Sequence, residues 1–150
     1  MASSLAANPA WQAEPLLEQL YGKDWRELPT INPNLRLVTS FEREVDLVEL
    51  EQLCDAVGWS RRPLRRVRKA LSNSLLVVGL WRHDPRVPKL IGFARCTGDG
   101  VLDATIWDLA IHPLYQGAGL GKGLMKVLLE RLRAMDCLLY TSPSPRDSDQ

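Results

Sequence analysis

The sequence predicts an α+β fold, in which a strand and two helices precede three antiparallel strands and a further helix. Two periodicities support this order: apolar residues alternate with polar ones in the strand segments, and recur every three or four residues in the helical ones. A length of 150 residues suits one domain. Apolar content of 45% and charged content of 25% are typical of a globular chain.

The first core strand is predicted at 35–39 by its alternation. Asp46 then suits the N-cap of a helix, and Glu49 three residues later completes a capping box. Gly58 is expected to end this helix. Five residues form its apolar stripe: Leu47, Leu50, Leu53, Cys54 and Val57.

A second helix is predicted from about Arg62 to Ser72, because Pro63 is favourable in a first turn. Apolar segments then predict strands at 74–82, 90–97 and 102–111, joined by loops rich in proline or glycine. A short helix is predicted before the core, from Trp11 to Tyr21.

Composition excludes several classes of function. The net charge is +1, and no apolar run approaches the ~20 residues of a membrane span, so neither nucleic acid nor membrane is an expected partner. Cys54, Cys96 and Cys137 lack metal-ligand spacing, so no metal site is expected. The sequence gives no oligomeric state.

The most informative motif is a glycine-rich turn between the last predicted strand and the last helix. It reads Gln116-Gly117-Ala118-Gly119-Leu120-Gly121, and Lys122 follows. Glycines let backbone N–H groups approach an anion closely, and a helix N-terminus adds unpaired N–H donors and partial positive charge. The turn therefore predicts a phosphate or pyrophosphate site.

This turn, with the strand Leu-Ala-Ile at 109–111 before it, resembles the acetyl-CoA loop of the GNAT-type N-acetyltransferases. The segment 49–64 is similar to the helix-loop-helix of the cyanobacterial and plastid branch, which includes serotonin, protein N-terminal and lysine acetyltransferases. The resemblance implies the GNAT fold, acetyl-CoA as co-substrate and a primary amine as acceptor. It places the protein in a cyanobacterial-type cytoplasm or the plastid stroma.

Carried over to this sequence, the family pattern assigns two groups of cofactor-binding residues. The pyrophosphate would be held by Gln116, Gly117, Ala118, Gly119, Leu120 and Gly121, with Lys122 as a nearby cation. The pantetheine arm would lie beside Leu109, Ala110 and Ile111, where a backbone N–H near Ile111 would stabilise the oxyanion. The catalytic base is not assigned; Asp108 on the strand and His112 beside the loop are the candidates.

The stretch 137–150 resembles the translation of a transposase-based sequencing adapter, although its composition also suits a disordered tail. The expected division is an N-terminal extension at 1–34, a partial GNAT domain at 35–136 and a non-native tail at 137–150. The C-terminal part of the family fold would then be missing, and this fragment is expected to be inactive.

Six cations lie within the nine residues 61–69: Arg61, Arg62, Arg65, Arg66, Arg68 and Lys69. They fit a solvated helix face, or attraction of an acidic substrate or of the CoA phosphates. Nucleic-acid binding is the least favoured reading, since so few charges on one helix bind weakly. A non-catalytic CoA-binding or protein-interaction fragment that uses 61–69 therefore remains an alternative to the enzyme.

Overall fold

The computed structural model describes residues 10–137 and 140–141, with side chains from 16 to 137. The helices are α1 (Ala10–Tyr21), α2 (Leu47–Ala56), α3 (Leu64–Ser72) and α4 (Leu120–Ala134), and a 3-10 turn at Pro113–Tyr115 precedes α4. The strands are β1 (Trp25–Leu28), β2 (Leu37–Ser40), β3 (Leu76–Arg82), β4 (Lys89–Thr97), β5 (Ala104–Ile111) and β6 (Tyr140–Thr141).

The strands form one sheet in the order β1-β2-β3-β4-β5-β6. Neighbouring strands from β1 to β5 are antiparallel. Strand β6 is parallel to β5 and pairs with the first two residues of β5, Ala104 and Thr105. The predicted α+β order and the β3–β5 meander are confirmed. Strand β1 was not predicted: it lies within the expected extension and pairs along its whole length with β2.

One face of the sheet is covered by α4. Its leucines at 120, 124, 128 and 132 are buried, because a spacing of four places them on one helical stripe. They pack against Val78 and Leu80 of β3 and Ile91 of β4. This packing holds the start of α4, and therefore the glycine turn, against the sheet.

The opposite face carries α2 and α3, which bury Leu50, Leu53 and Leu71 against a cluster of Val77, Leu90 and Phe93. Asp46 caps α2 as predicted: its Oδ1 accepts from the N–H groups of Val48 at 2.9 Å and Glu49 at 3.2 Å. The second bond of the predicted capping box, in which the Glu49 carboxylate would accept from the Asp46 N–H, is wrong. The Glu49 carboxylate instead accepts from the Leu90 N–H at 3.0 Å and so connects α2 to β4.

Helix α3 begins at Leu64, two residues after the predicted start, because Pro63 is its N-cap. The N-terminal helix α1 buries Leu17 and Tyr21 beside Val38 of β2. The Tyr21 hydroxyl also bonds His83 Nδ1 at 2.7 Å, which joins α1 to the β3–β4 loop.

Candidate functional site

The glycine turn has a backbone that only glycine adopts readily. Gly117 and Gly119 have φ angles of +86° and +76°, in the left-handed region that disfavours L side chains. A Cβ at either position would meet no heavy atom of the described residues within 4 Å. The space over the turn is therefore open, and a ligand is free to approach the backbone there.

The start of α4 presents backbone donors to this space. Gly119 is its N-cap and makes no side-chain capping bond. In the described part of the chain, the first backbone N–H after Gln116 with an acceptor is that of Gly123, bonded to Gly119 O at 3.0 Å. The N–H groups of 117–122 thus form a run of donors at a helix N-terminus, with the exposed Lys122 beside them. This arrangement suits a pyrophosphate.

The end of β5 presents a second set of backbone groups. His112 N–H donates to Ile91 O at 2.7 Å, and Gly92 pairs with Ile111, so strand alternation turns the Ile111 N–H and C=O away from β4. Within the described residues β6 pairs with the opposite end of β5, so this edge is open at Ile111. The Gln116 side chain reaches back and donates to Ile111 O at 3.0 Å.

The predicted cofactor-binding residues therefore run from the end of β5, through the turn, to the start of α4. Leu109 and Ile111 pack their side chains on the α4 side, and Ala110 packs on the α2 side. Their backbone, rather than their side chains, is what lies along the edge.

Asp108 occupies a bulge in β5. Between the pairs Phe93–Ala110 and Arg95–Trp107, β4 has one residue and β5 has two, and Asp108 has a φ of +57°. Its Oδ2 accepts from Arg95 Nε at 2.6 Å, and its Oδ1 lies 3.5 Å from Arg62 Nη2. Asp108 is thus an ion-paired carboxylate held between β4 and the α2–α3 loop.

A cavity of about 270 Å³ lies between α2, α3 and the sheet, and Asp108 and Arg95 contribute to its wall. Much of the lining is apolar, including Leu47, Leu50, Trp59, Leu64, Val67 and Phe93. Cys54 also lines it, and burial raises the pKa of its thiol, so this cysteine is a poor nucleophile at neutral pH. Charged side chains, among them Glu51, Asp55 and Arg66, complete the lining, so the cavity suits a group that is partly apolar and partly polar.

His112 is engaged in the turn itself. Its Nδ1 accepts from Leu114 N–H at 3.2 Å, and its ring lies edge-on to Tyr115 at 5.9 Å. It does not line the cavity that contains Asp108. The structure thus separates the two candidate bases: Asp108 faces the cavity, and His112 braces the turn.

The basic segment 61–69 divides into paired and unpaired cations. Arg61 bonds Asp55 at 2.8 Å, and Arg62 reaches Asp108 as described above. Across the residues that the structure describes, Arg65, Arg66, Arg68 and Lys69 make no ion pair within 4.0 Å. The unpaired cations therefore lie on α3 itself.

Two further findings concern the described residues alone. They contain no group of three or more His, Cys, Asp or Glu side chains placed to hold a metal ion. None of their helices combines the length and apolarity needed to cross a bilayer.

Sequence reasoning missed Arg95 and Arg62 as partners of Asp108. Arg95 lies on the neighbouring strand and Arg62 lies 46 residues before Asp108, so local patterns do not connect them. The available signal was Arg95 itself, a charged residue in the largely apolar β4 segment.

Comparison with known proteins gives the family. A sequence model described as Acetyltransferase (GNAT) family matches residues 45–147. The chain is 61% identical over 115 residues to an uncharacterized N-acetyltransferase ycf52-like protein of Prochlorococcus marinus, covering 77% of this chain and 64% of that protein. It is 39% identical over 116 residues to GCN5-related N-acetyltransferase 2, chloroplastic, of Arabidopsis thaliana, covering 67% of this chain and 45% of that protein.

A solved GNAT-family acetyltransferase from Streptococcus pneumoniae TIGR4 has a similar structure, with a TM-score of 0.59 and 27% identity. The match covers 72% of this chain and 75% of that one. The chain spans less than two thirds of the length of the curated relatives named above. The chain belongs to the GNAT acetyltransferase family.

Proposed function

We propose that the protein is an N-acetyltransferase that transfers an acetyl group from acetyl-CoA to a primary amine. The activity belongs to the whole protein, of which this chain carries the cofactor-binding part; the fragment 1–150 by itself is proposed to be inactive or nearly so. In keeping with the relatives' names, we assign it to a cyanobacterial-type cytoplasm or to the plastid stroma.

One observation carries this proposal: unpaired backbone groups at the open edge of β5 are followed along the chain by unpaired N–H groups at the start of α4. The N–H groups of 117–122 have no backbone acceptor among the described residues, and the space at Gly117 and Gly119 is open. The Ile111 N–H and C=O lie at the adjacent open edge of β5. Acetyl-CoA has a diphosphate and a pantetheine arm with two amides, in that order toward the thioester. The arrangement supports binding of the diphosphate by α4 and of the arm by the end of β5.

The proposed reaction is direct attack. The amine nitrogen attacks the thioester carbonyl carbon, a C–N bond forms and the C–S bond breaks, so that CoA leaves as a thiolate and takes up a proton. The amine must lose a proton to a base. Charge develops on the carbonyl oxygen, and we assign its stabilisation to the Ile111 N–H, which points away from β4 at the open edge of β5.

Asp108 is the better supported base candidate of the two. It lines the apolar cavity beside the end of β5, whereas His112 Nδ1 is occupied by Leu114 N–H. Arg95 and Arg62 fix the position of the Asp108 carboxylate. We propose that the acceptor amine enters through this cavity. Its class stays open among a protein N-terminus, a lysine side chain and a small aromatic amine.

The test separates binding from transfer. Calorimetric titration of acetyl-CoA into the chain should show one site, and Lys122→Ala should weaken it modestly. Lys126→Ala, an exposed cation one turn further along α4, is the matched control and should not. Transfer is measured with the full-length protein and three acceptors: an arylalkylamine, a lysine peptide and a peptide with a free N-terminus. If neither the chain 1–150 nor the full-length protein binds acetyl-CoA, the proposal is contradicted.

The alternative is a non-catalytic CoA-binding or protein-interaction fragment that uses 61–69. The four unpaired cations of α3 favour it, because they are available to an acidic partner. Acetyl-CoA would bind under both functions, so acetyl transfer by the full-length protein decides between them. Acetyl-CoA binding with no transfer to any amine would support the alternative.

A further inference from the structure

A groove lies between the start of α2 and helix α3. It has a volume of about 1190 Å³. Its lining consists of residues 43–48, which lead into α2, and of six residues of α3: Leu64, Arg65, Arg68, Lys69, Leu71 and Ser72. Within the described chain, neither the glycine turn nor the end of β5 contributes to this lining. The groove is therefore separate from the backbone groups that we assign to acetyl-CoA.

One wall of this groove is cationic. Arg65, Arg68 and Lys69 recur at a spacing of three and four residues, so they share one face of α3. All three are exposed, and in the part of the chain that the structure describes none of them makes an ion pair within 4.0 Å. A fourth cation of the lining, Arg43, already donates to two backbone carbonyl oxygens just before β3. The cations of α3 are therefore the ones available to a ligand.

The acids of the lining do not cancel this charge. Asp46 and Glu44 stand against the four cations. The Asp46 carboxylate is engaged as the N-cap of α2, where it accepts from two backbone N–H groups. The groove thus has an excess of positive charge, although the whole chain has a net charge of only +1. This local excess favours an acidic ligand.

Much of the remaining lining is aliphatic. Val48 is 59% exposed and Leu64 is 38% exposed, although both side chains are apolar. Val45, Leu47 and Leu71 complete this part of the groove. A ligand that covers these side chains gains free energy because it removes apolar surface from water. The groove is therefore complementary to a ligand that has both carboxylates and aliphatic groups.

These features favour a protein segment over a nucleic acid or a lipid surface. The described residues of the lining include no aromatic side chain, so the groove offers no ring on which a base could stack. Val67 and Leu71 of α3 pack inward, against the core cluster between α2 and the sheet. The apolar stripe of α3 is thus already covered, whereas a helix that lies in a membrane interface exposes such a stripe to lipid.

We propose that this groove is a docking site for an acidic segment of a partner protein. The carboxylates of the segment pair with the cations of α3, and its aliphatic side chains cover Val48 and Leu64. The inference goes beyond acetyl transfer, since it specifies the class of partner and the place of contact. It holds for an active enzyme as well as for a non-catalytic fragment.

The experiment measures the binding of fluorescein-labelled peptides to the chain 1–150 by fluorescence anisotropy. Peptides of about 12 residues are long enough, because α3 spans roughly 14 Å. Two probe peptides combine glutamates with leucines, one at helical and one at alternating spacing. In the control peptides, serine replaces leucine or lysine replaces glutamate. We expect at least one probe to bind with a Kd of about 1–100 μM, and its controls to bind about tenfold or more weakly.

Two double variants test where the peptide binds. Arg65→Ala/Arg68→Ala should weaken the binding about fivefold or more, as the loss of two exposed ion pairs gives. Arg66→Ala/Lys126→Ala is the matched control, because it removes the same charge from exposed cations that do not line the groove. The control variant should bind within about twofold of wild type. Val48→Ser tests the aliphatic contact and should weaken the binding about threefold or more.

Three results would each overturn the inference. The first is no binding of either probe by the wild type, and the second is equal weakening in the two double variants. The third is tighter binding of a single-stranded RNA or of phosphatidylglycerol vesicles, lost in Arg65→Ala/Arg68→Ala, because the partner would then belong to another class. Circular dichroism melts confirm that each variant folds. The assay contains no acetyl-CoA, so a failure of acetyl-CoA binding would contradict the proposed function and leave this inference standing.

Discussion

Replacing Gly119 by alanine tests two properties of the glycine turn: its left-handed backbone and the open space beside it. Gly119 has a φ of +76°, and a Cβ added there would meet no described heavy atom within 4 Å. The substitution therefore introduces backbone strain without a steric clash inside the protein. The new methyl group would project into the open space that we assign to the diphosphate.

The structure provides a matched control. Gly58 ends α2 with a φ of +84°, and a Cβ there would also meet nothing within 4 Å. An L residue in the left-handed region costs about 1–2 kcal/mol, and at Gly119 alanine is also a poor N-cap. We expect both variants to lose about 1–2 kcal/mol of unfolding free energy, which lowers Tm by roughly 3–8 °C.

The two variants should differ in their affinity for acetyl-CoA. Gly119→Ala should bind acetyl-CoA about tenfold to a hundredfold more weakly, because one hydrogen bond to a charged oxygen is lost, at about 1.5–3 kcal/mol. Gly58→Ala should bind it within about twofold of wild type. Urea unfolding gives the stabilities and calorimetry gives the affinities. Equal affinities in the two variants would refute the assignment of the diphosphate to this turn.

Three further predictions concern the core, the pH dependence and the chemistry. Leu128→Ala in the buried stripe of α4 should lose about 2–5 kcal/mol of unfolding free energy, and Leu128→Met less than about 1.5 kcal/mol, as measured in urea. Burial lowers the pKa of His83 below 6.5, so at a pH just below 6.5 the unfolded chain binds more protons than the folded one. The free energy of unfolding should therefore fall as the pH drops below 6.5. It should fall less steeply in His83→Gln. Asp108→Asn in the full-length protein should lower kcat by about a hundredfold or more, whereas a loss of stability with unchanged kcat would make Asp108 a purely structural residue.

The elements with long periodic segments could be predicted from the sequence. A short element that depends on pairing with a distant segment could not. The four leucines of α4 and the apolar runs of β3 and β4 are local patterns, so they specify their elements without knowledge of the rest. Strand β1 has four residues, Trp25 to Leu28, with apolar residues at its ends alone. Its pairing with β2 is what makes it a strand.

Side-chain contacts between elements that are distant along the chain could not be predicted from the sequence either. Glu49 has the spacing of a capping box, yet its carboxylate bonds the N–H of Leu90 because α2 packs directly on β4. Arg36 and Arg82 meet in one groove because β2 and β3 are neighbours in the sheet. The glycine turn was predictable because its requirements, a left-handed backbone and unpaired N–H groups, are local.

Asp108 shows how one inserted residue changes the reading of a site. Strict alternation along β5 would assign Trp107 and Leu109 to one face and place Asp108 opposite to them. The bulge puts two residues of β5 against Ala94 alone, and Leu109 packs on the α4 side while Asp108 bonds Arg95 and Arg62 next to the α2–α3 cavity. The carboxylate therefore reaches the cavity because the ladder is interrupted there. Alternation read from the sequence cannot place the proposed base on this strand, and we expect that deleting the extra residue would move the carboxylate away from the proposed acceptor cavity while the sheet persists.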